Sequence, residues 1–196
     1  MTTRRGRPGH DQEAVLAAAV RLFNERGYDA TSMDDLARSL GITKSSVYHH
    51  VRSKQELLRR AVGHALDGLD EALTQVRELS GVSALERLET LIRLSVLVLA
   101  SRLPSVTLLL RVRGNSEIEQ EALHRRRAFD HEVTVLVKAA QAEGAIRPDV
   151  DPATAARLLF GMVNSLVEWY SPGRGNAGEM ATTVVALAFE GLSVRS

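Results

Sequence analysis

The chain has 196 residues, a formal net charge of +1, and 44% hydrophobic but only 4% aromatic residues. That length and apolar content suit one large or two small domains with a proper buried core. It has no cysteine, which excludes a disulfide framework, a thiolate zinc site, an iron–sulfur cluster and a cysteine nucleophile, and makes a reducing cytoplasm the expected compartment.

In chain order, the basic start Met1-Thr2-Thr3-Arg4-Arg5-Gly6-Arg7-Pro8 is followed by no apolar h-region, so no signal peptide is expected. From Gln12 to Arg26, Val15, Ala18, Ala19, Leu22 and Phe23 recur with helical period, and Gly27 supplies the stop. Thr31 or Ser32 caps a short second helix carrying Leu36, Ala37 and Leu40, with Asp34 and Asp35 in the first turn where the helix dipole favours acids. Leu40-Gly41-Ile42 is a tight turn, and Thr43 caps a third short helix containing Val47 and Tyr48. Ser53-Lys54-Gln55-Glu56 is a capping box opening a long fourth helix to about Leu79, with an apolar stripe from Leu57 to Val76.

After Ser80-Gly81, the box Ser83…Glu86 starts a helix reaching about Ala100, and a short helix follows Pro104 until Gly114-Asn115 breaks it. Ser116…Glu119 caps a long polar-faced helix to about Glu143. Asp151-Pro152 opens a helix to about Tyr170 that is apolar nearly all round, which requires burial on several sides. A glycine-rich loop from Ser171 to Gly178 precedes a last apolar helix, about Glu179 to Leu192. The longest apolar run, near Ser95 to Ala100, falls well short of the ~18 residues needed to span a bilayer, so no membrane partner is expected. The expected fold is all-α. A helix-turn-helix domain occupies 1–53, a connecting helix 54–80, and a helical ligand-binding and dimerisation domain 81–196.

The charge balance is a sum of unlike parts. Residues 1–64 carry eleven Lys and Arg against seven Asp and Glu, and the remainder fourteen against seventeen. The first part is therefore suited to a polyanion and the second is not. Three closely spaced helices with a glycine turn before the third form helix-turn-helix grammar, since that turn requires a positive φ. The third helix presents Lys44, Ser45, Ser46, Tyr48, His49 and His50 beside the single apolar Val47. Such donors suit base edges and phosphates in a major groove; the residues alone also fit a solvated polar face. His49-His50 is no metal site, because adjacent helical side chains diverge by about 100°.

The stretch Arg26-Gly27-Tyr28-Asp29-Ala30-Thr31-Ser32-Met33-Asp34-Asp35-Leu36-Ala37, then Leu40-Gly41-Ile42-Thr43-Lys44-Ser45-Ser46-Val47-Tyr48-His49-His50-Val51, then Ser53-Lys54-Gln55-Glu56-Leu57-Leu58, closely resembles the TetR family of bacterial transcriptional regulators. The resemblance covers about residues 10–60. It implies a homodimer whose paired recognition helices enter successive major grooves of a palindromic operator, and a divergent C-terminal domain that binds a small-molecule inducer. By this resemblance Thr43, Lys44, Ser45, Ser46, Tyr48, His49 and His50 are base or phosphate contacts, with a half-buried packing role equally open for His50. Thr31 would offer its hydroxyl or amide to phosphate, and Lys54 would reach phosphate from the start of the fourth helix. Tyr28 is expected in the core. Arg4, Arg5 and Arg7 are either a groove-reaching arm or a solubilising tail.

In the second domain the two late apolar helices read as a dimer interface, completed by the partner's pair. The segment Gly144 to Asp149, with Asn164 and Glu168 to Gly173, is similar to TetR-family regulators of fatty-acid, phenylacetate or steroid-ring degradation, which respond to acyl-CoA thioesters. An acyl-CoA needs an apolar tunnel and cations for its phosphates. Leu108, Leu110, Phe129, Leu159 and Val163 are candidates for the first, and Arg111, Arg113, Arg125 and Arg127 for the second; Asn164, Glu168, Trp169 and Tyr170 interrupt the apolar surface, the tryptophan as packing or as ligand contact. The rival inducer is a lipophilic drug or cation with Glu168 as its counter-charge. No cofactor is expected. There is no phosphate loop, no G-x-S-x-G and no H-E-x-x-H, so an enzyme is not expected.

Overall fold

A computed structural model describes residues 12–173 and 175–190. Among them the chain is all-α: α1 (Gln12–Arg26), α2 (Met33–Leu40), α3 (Lys44–His50), α4 (Lys54–Glu78), α5 (Ala84–Ser101), α6 (Leu103–Arg111), α7 (Glu117–Ala142), α8 (Pro152–Ser165) and α9 (Ala177–Glu190), with a 3-10 turn Leu166–Glu168 after α8. The chain divides into two compact units between Val62 and Gly63, inside α4 rather than at its start.

In the first unit α1 packs on α2 and α3, and α2 on α3. The residues that close this core are those the helical period selects: Val15, Ala19, Leu22, Phe23, Leu36 and Val47, with Leu57 and Leu58 from the start of α4. Ser32, not Thr31, is the N-cap of α2. Its hydroxyl accepts from the Asp35 amide at 3.1 Å while the Asp35 carboxylate accepts from the Ser32 amide at 2.9 Å. Gly41 ends α2 at φ 67°, and the turn it permits lets the Ile42 amide donate back to the Ala37 carbonyl at 3.1 Å.

In the second unit α5 is the central element, contacting α6, α7, α8 and α9, and α7 packs on α8. The chain bends by 101° between α5 and α6, where Arg102 ends one helix and begins the next. Helix α6 begins at Leu103, one residue before Pro104, because proline is tolerated in a first turn whose amides have no intrahelical partner. Glu119 is 7% exposed and closes the α6–α7 connection, accepting from the amides of Arg113, Gly114 and Asn115 at 2.8, 2.8 and 3.1 Å.

Two expectations for the last helices are corrected. Helix α8 stops at Ser165, five residues before Tyr170, and the chain tightens so that the Tyr170 amide donates to Leu166 at 2.8 Å. Helix α9 starts two residues before Glu179, because the Asn176 side chain takes the Gly178 amide at 2.8 Å; the expected end near Leu192 lies outside the described residues. Within the single chain, α8 is not covered all round. Leu158 is 67% exposed and Met162 38%, and on α9 Leu187 is 66% exposed. No single helix among the described residues is long and apolar enough to cross a membrane.

Candidate nucleic-acid interface and ligand cavity

Helix α3 has one buried residue, Val47, and turns the rest outward. Lys44, Ser45, Tyr48 and His49 are exposed, while Ser46 and His50 are half-buried. Thr43 is the N-cap, taking the Ser46 amide at 3.2 Å, and its hydroxyl also meets the Ser46 hydroxyl at 2.8 Å. Lys44 is ion-paired with Asp34 of α2 at 2.8 Å, and that hydrogen bond holds its pKa above the ordinary lysine value. That contact turns the ammonium toward α2. The pair is exposed on both sides, so a phosphate can replace Asp34 at little cost. The His50 carbonyl accepts from the Gln12 side chain at 3.0 Å, fixing the end of α3 to α1.

Two residues do other work than the one expected. Thr31 is 3% exposed, its hydroxyl donates to the Gly27 carbonyl at 2.8 Å, and its amide donates to Tyr28 at 3.1 Å. Both groups that would have met phosphate lock the α1–α2 turn instead. Lys54 is turned inward as well. Its ammonium donates to the carbonyls of Tyr28 and Thr31 at 2.9 and 3.0 Å, approaches that of Asp29 at 3.5 Å, and lies 4.2 Å from the Tyr28 ring centroid. The ring packs edge-on against Phe23 at 5.1 Å. Here Lys54 is the polar clasp of the α1–α2 loop. The type of residue gave no sign of this, because the three acceptors lie more than twenty residues away in sequence. The proposed arm Arg4, Arg5 and Arg7 lies outside the described residues.

The second unit contains an apolar cavity of about 40 Å³. Leu69 of α4, Val98 and Leu99 of α5 and Val106, Leu109 and Leu110 of α6 form one side. Phe129, Phe160 and Val163 form the other, the two rings meeting edge-to-face at 4.9 Å and 82°. Four polar residues face it: Ser95, Arg126, Asp130 and Asn164. The Ser95 hydroxyl is satisfied by the Leu91 carbonyl at 2.7 Å. Burial raises the pKa of Asp130 despite opposing help from Arg126 and Arg157, although the residue as a whole keeps solvent exposure.

Of the residues expected to meet a ligand, Leu110, Phe129, Val163 and Asn164 line this cavity. Leu108 and Leu159 are buried but are not among its walls. Arg111, Arg113 and Arg127 are exposed outside it, and so are Glu168 and Trp169, placed there because α8 ends early and the 3-10 turn swings them outward. Arg125 instead bridges to α4, at 2.8 Å from Asp67 and 2.5 Å from Asp70. The run His124-Arg125-Arg126-Arg127 fans around α7, and only Arg126 turns to the cavity. Sequence reading missed Arg126 and Asp130. Their spacing from Phe129 and Val133 on one helical face was the available signal.

A trihelical unit that caps, turns and presents a short polar helix, followed by a separate all-helical unit, is the architecture of a helix-turn-helix DNA-binding regulator. The chain belongs to the TetR family: residues 15–61 match the bacterial regulatory proteins of that family, and residues 81–192 match its tetracyclin repressor-like C-terminal domain. Similar proteins include the transcriptional repressor KstR2 of Mycolicibacterium smegmatis, 28% identical over 85% of this chain and 82% of that one. Among solved structures, a TetR-family member from Streptomyces coelicolor, SCO3833, is 51% identical, covers 92% of this chain and 91% of its own, and superimposes with a TM-score of 0.81. AibR in complex with isovaleryl coenzyme A and operator DNA is 28% identical, covers 91% of this chain and 97% of its own, and has a TM-score of 0.76.

Proposed function

We propose that the protein is a repressor that acts in the cytoplasm, binds a palindromic operator as a homodimer, and is released by a small organic inducer. The observation that carries this reading is the exposed α3 face, on which Lys44, Ser45, Tyr48 and His49 stand together behind the Gly41 turn. Dimerisation is supported by the uncovered apolar side chains Leu158, Met162 and Leu187 on α8 and α9. Burying such a side chain from full exposure is worth about 1.5–3 kcal/mol; each of these, already partly covered, gains the fraction that is still exposed, and a two-fold axis counts every one twice. The dimer would set two recognition helices about 34–36 Å apart for successive major grooves.

An acyl-CoA thioester is the inducer class the cavity best suits. Its walls are aliphatic and aromatic, Arg126 offers a cation, and AibR, a relative of this chain, is a protein whose solved complex contains isovaleryl coenzyme A. A cavity of about 40 Å³ is too small for a long acyl chain, so binding one requires a wider arrangement. A ligand that prefers the wider state by a few kcal/mol shifts the population away from the operator-binding one. The lipophilic-cation alternative loses Glu168 as its counter-charge, since that residue is exposed away from the cavity, and would have to rely on Asp130 beside Arg126 instead.

A gel-shift against the DNA upstream of the protein's own coding region tests the reading. Salt-sensitive binding is expected, abolished by Lys44→Ala and by Tyr48→Ala with the melting temperature unchanged. Unaltered operator affinity in both variants would overturn the assignment of α3. Isothermal titration with a panel of CoA thioesters tests the inducer. Binding confined to CoA-independent apolar compounds would exclude the thioester.

A further inference from the structure

Arg126 and Asp130 stand one helical turn apart on α7, both facing the apolar cavity. An arginine and an aspartate at that spacing ordinarily pair, yet among the described residues neither side chain makes an ion pair within 4.0 Å or a hydrogen bond, with each other or with anything else. Of the neighbouring charges, Arg125 holds Asp67 and Asp70 and Arg77 holds Glu132, while Arg157 of α8 acts on Asp130 at longer range. A cation and a carboxylate one turn apart on α7, lining a cavity shared with Phe160, Val163 and Asn164, make a two-point polar reader at the edge of a greasy cavity.

We propose that Asp130 and Arg126 select an inducer whose acyl group carries a hydroxyl, Arg126 donating to its carbonyl oxygen and Asp130 accepting from the hydroxyl. This rests on the acyl-ligand reading above. A carboxylate facing an apolar cavity offers acceptors only, so the ligand group that completes it is a hydrogen-bond donor. Two guanidinium groups, Arg126 from α7 and Arg157 from α8, act on Asp130 and disfavour a second cation beside it. A neutral hydroxyl meets both conditions, and an amine does not. An unsubstituted acyl chain would offer Asp130 no hydrogen-bond donor in place of the water it displaces from the cavity side, which a polar reader penalises.

The experiment is isothermal titration of the full-length protein with four- to eight-carbon acyl-CoA thioesters, each beside its 3-hydroxy counterpart. Wild type is expected to bind at least one hydroxylated member tenfold or more tightly than its plain partner. Asp130→Leu should erase that ratio by tightening the plain compound and weakening the hydroxylated one. Asp130→Asn, which keeps an acceptor oxygen, should retain part of it; thermal melts confirm that both variants fold. Equal affinities in wild type for every pair would overturn the hydroxyl assignment and leave the acyl reading standing. Binding of neither member of any pair would overturn both.

Discussion

Helix α4 contains a glycine whose replacement gives a sharp test of how the second unit is packed. Gly68 is buried, and a Cβ built there would lie 2.8 Å from Val98 Cγ1 and 2.9 Å from both Cζ and Nη1 of Arg102. The lack of a side chain lets the Arg102 guanidinium reach the helix backbone, where it donates to the His64 carbonyl at 2.6 Å and pairs with Glu71 at 2.9 Å. In Gly68→Ala the better helix propensity of alanine contributes about 1 kcal/mol of stability. Against it, Arg102 must withdraw and lose a charge-assisted hydrogen bond worth about 1.5–3 kcal/mol. The Glu71 pair, exposed on its acidic side, adds about 0–1 kcal/mol, and displacing Val98 costs about 1 kcal/mol or more. The net expectation is a loss of about 2 kcal/mol, or about 4–8 °C in melting temperature for a chain of this size. Gly63 is the control in the same helix. A Cβ there meets nothing within 4 Å, so Gly63→Ala should raise stability by up to about 1 kcal/mol. Thermal melts at one fixed protein concentration, with Gly68→Ala repeated in an Arg102→Ala background where the penalty should shrink, make the measurement. A Gly68→Ala protein as stable as Gly63→Ala would refute the reasoning.

Lys54→Met should lower the stability of the first unit by about 1.5 kcal/mol while the slope of log affinity against log salt stays that of wild type; a slope smaller by about 1 would show that Lys54 touches phosphate after all. In Asp35 the Ser32 hydroxyl and amide, and in Glu56 the Arg52 amide, hold the carboxyl pKa below its ordinary value. A depressed folded pKa means stability that is present above the unfolded value and is lost as pH falls through the folded one. Urea unfolding followed from pH 7 to pH 3 should therefore weaken on the acid side, and Asp35→Asn should flatten part of that slope; an unchanged slope counts against the cap. Leu158→Asp with Leu187→Asp should give a monomer with unchanged helix content by light scattering and circular dichroism, and a persisting dimer would show that α8 and α9 are not the interface.

How far the sequence reaches differs between the two units. Caps and stops were legible because they are local: Asp151-Pro152, Ser83…Glu86 and Gly41 act on amides and carbonyls within four residues. The outward side chains of α3 were legible too, since a seven-residue helix with one apolar position has only one way to face a core. The α8 end was not, because an apolar run continues past Ser165 into a 3-10 turn that tertiary packing chooses.

What the sequence determined by itself was the all-α fold, the helix-turn-helix and the division of charge between a basic first unit and an acidic second one, because periodicity, capping and composition are properties of neighbouring residues. The tertiary structure decided which of the lysines and arginines remain available. Lys44 stays on the surface, Lys54 is drawn into three distant carbonyls, Arg125 is taken by α4, and Arg126 is left facing a cavity. The side chains are chemically alike, and only the acceptors that folding brings within reach distinguish them.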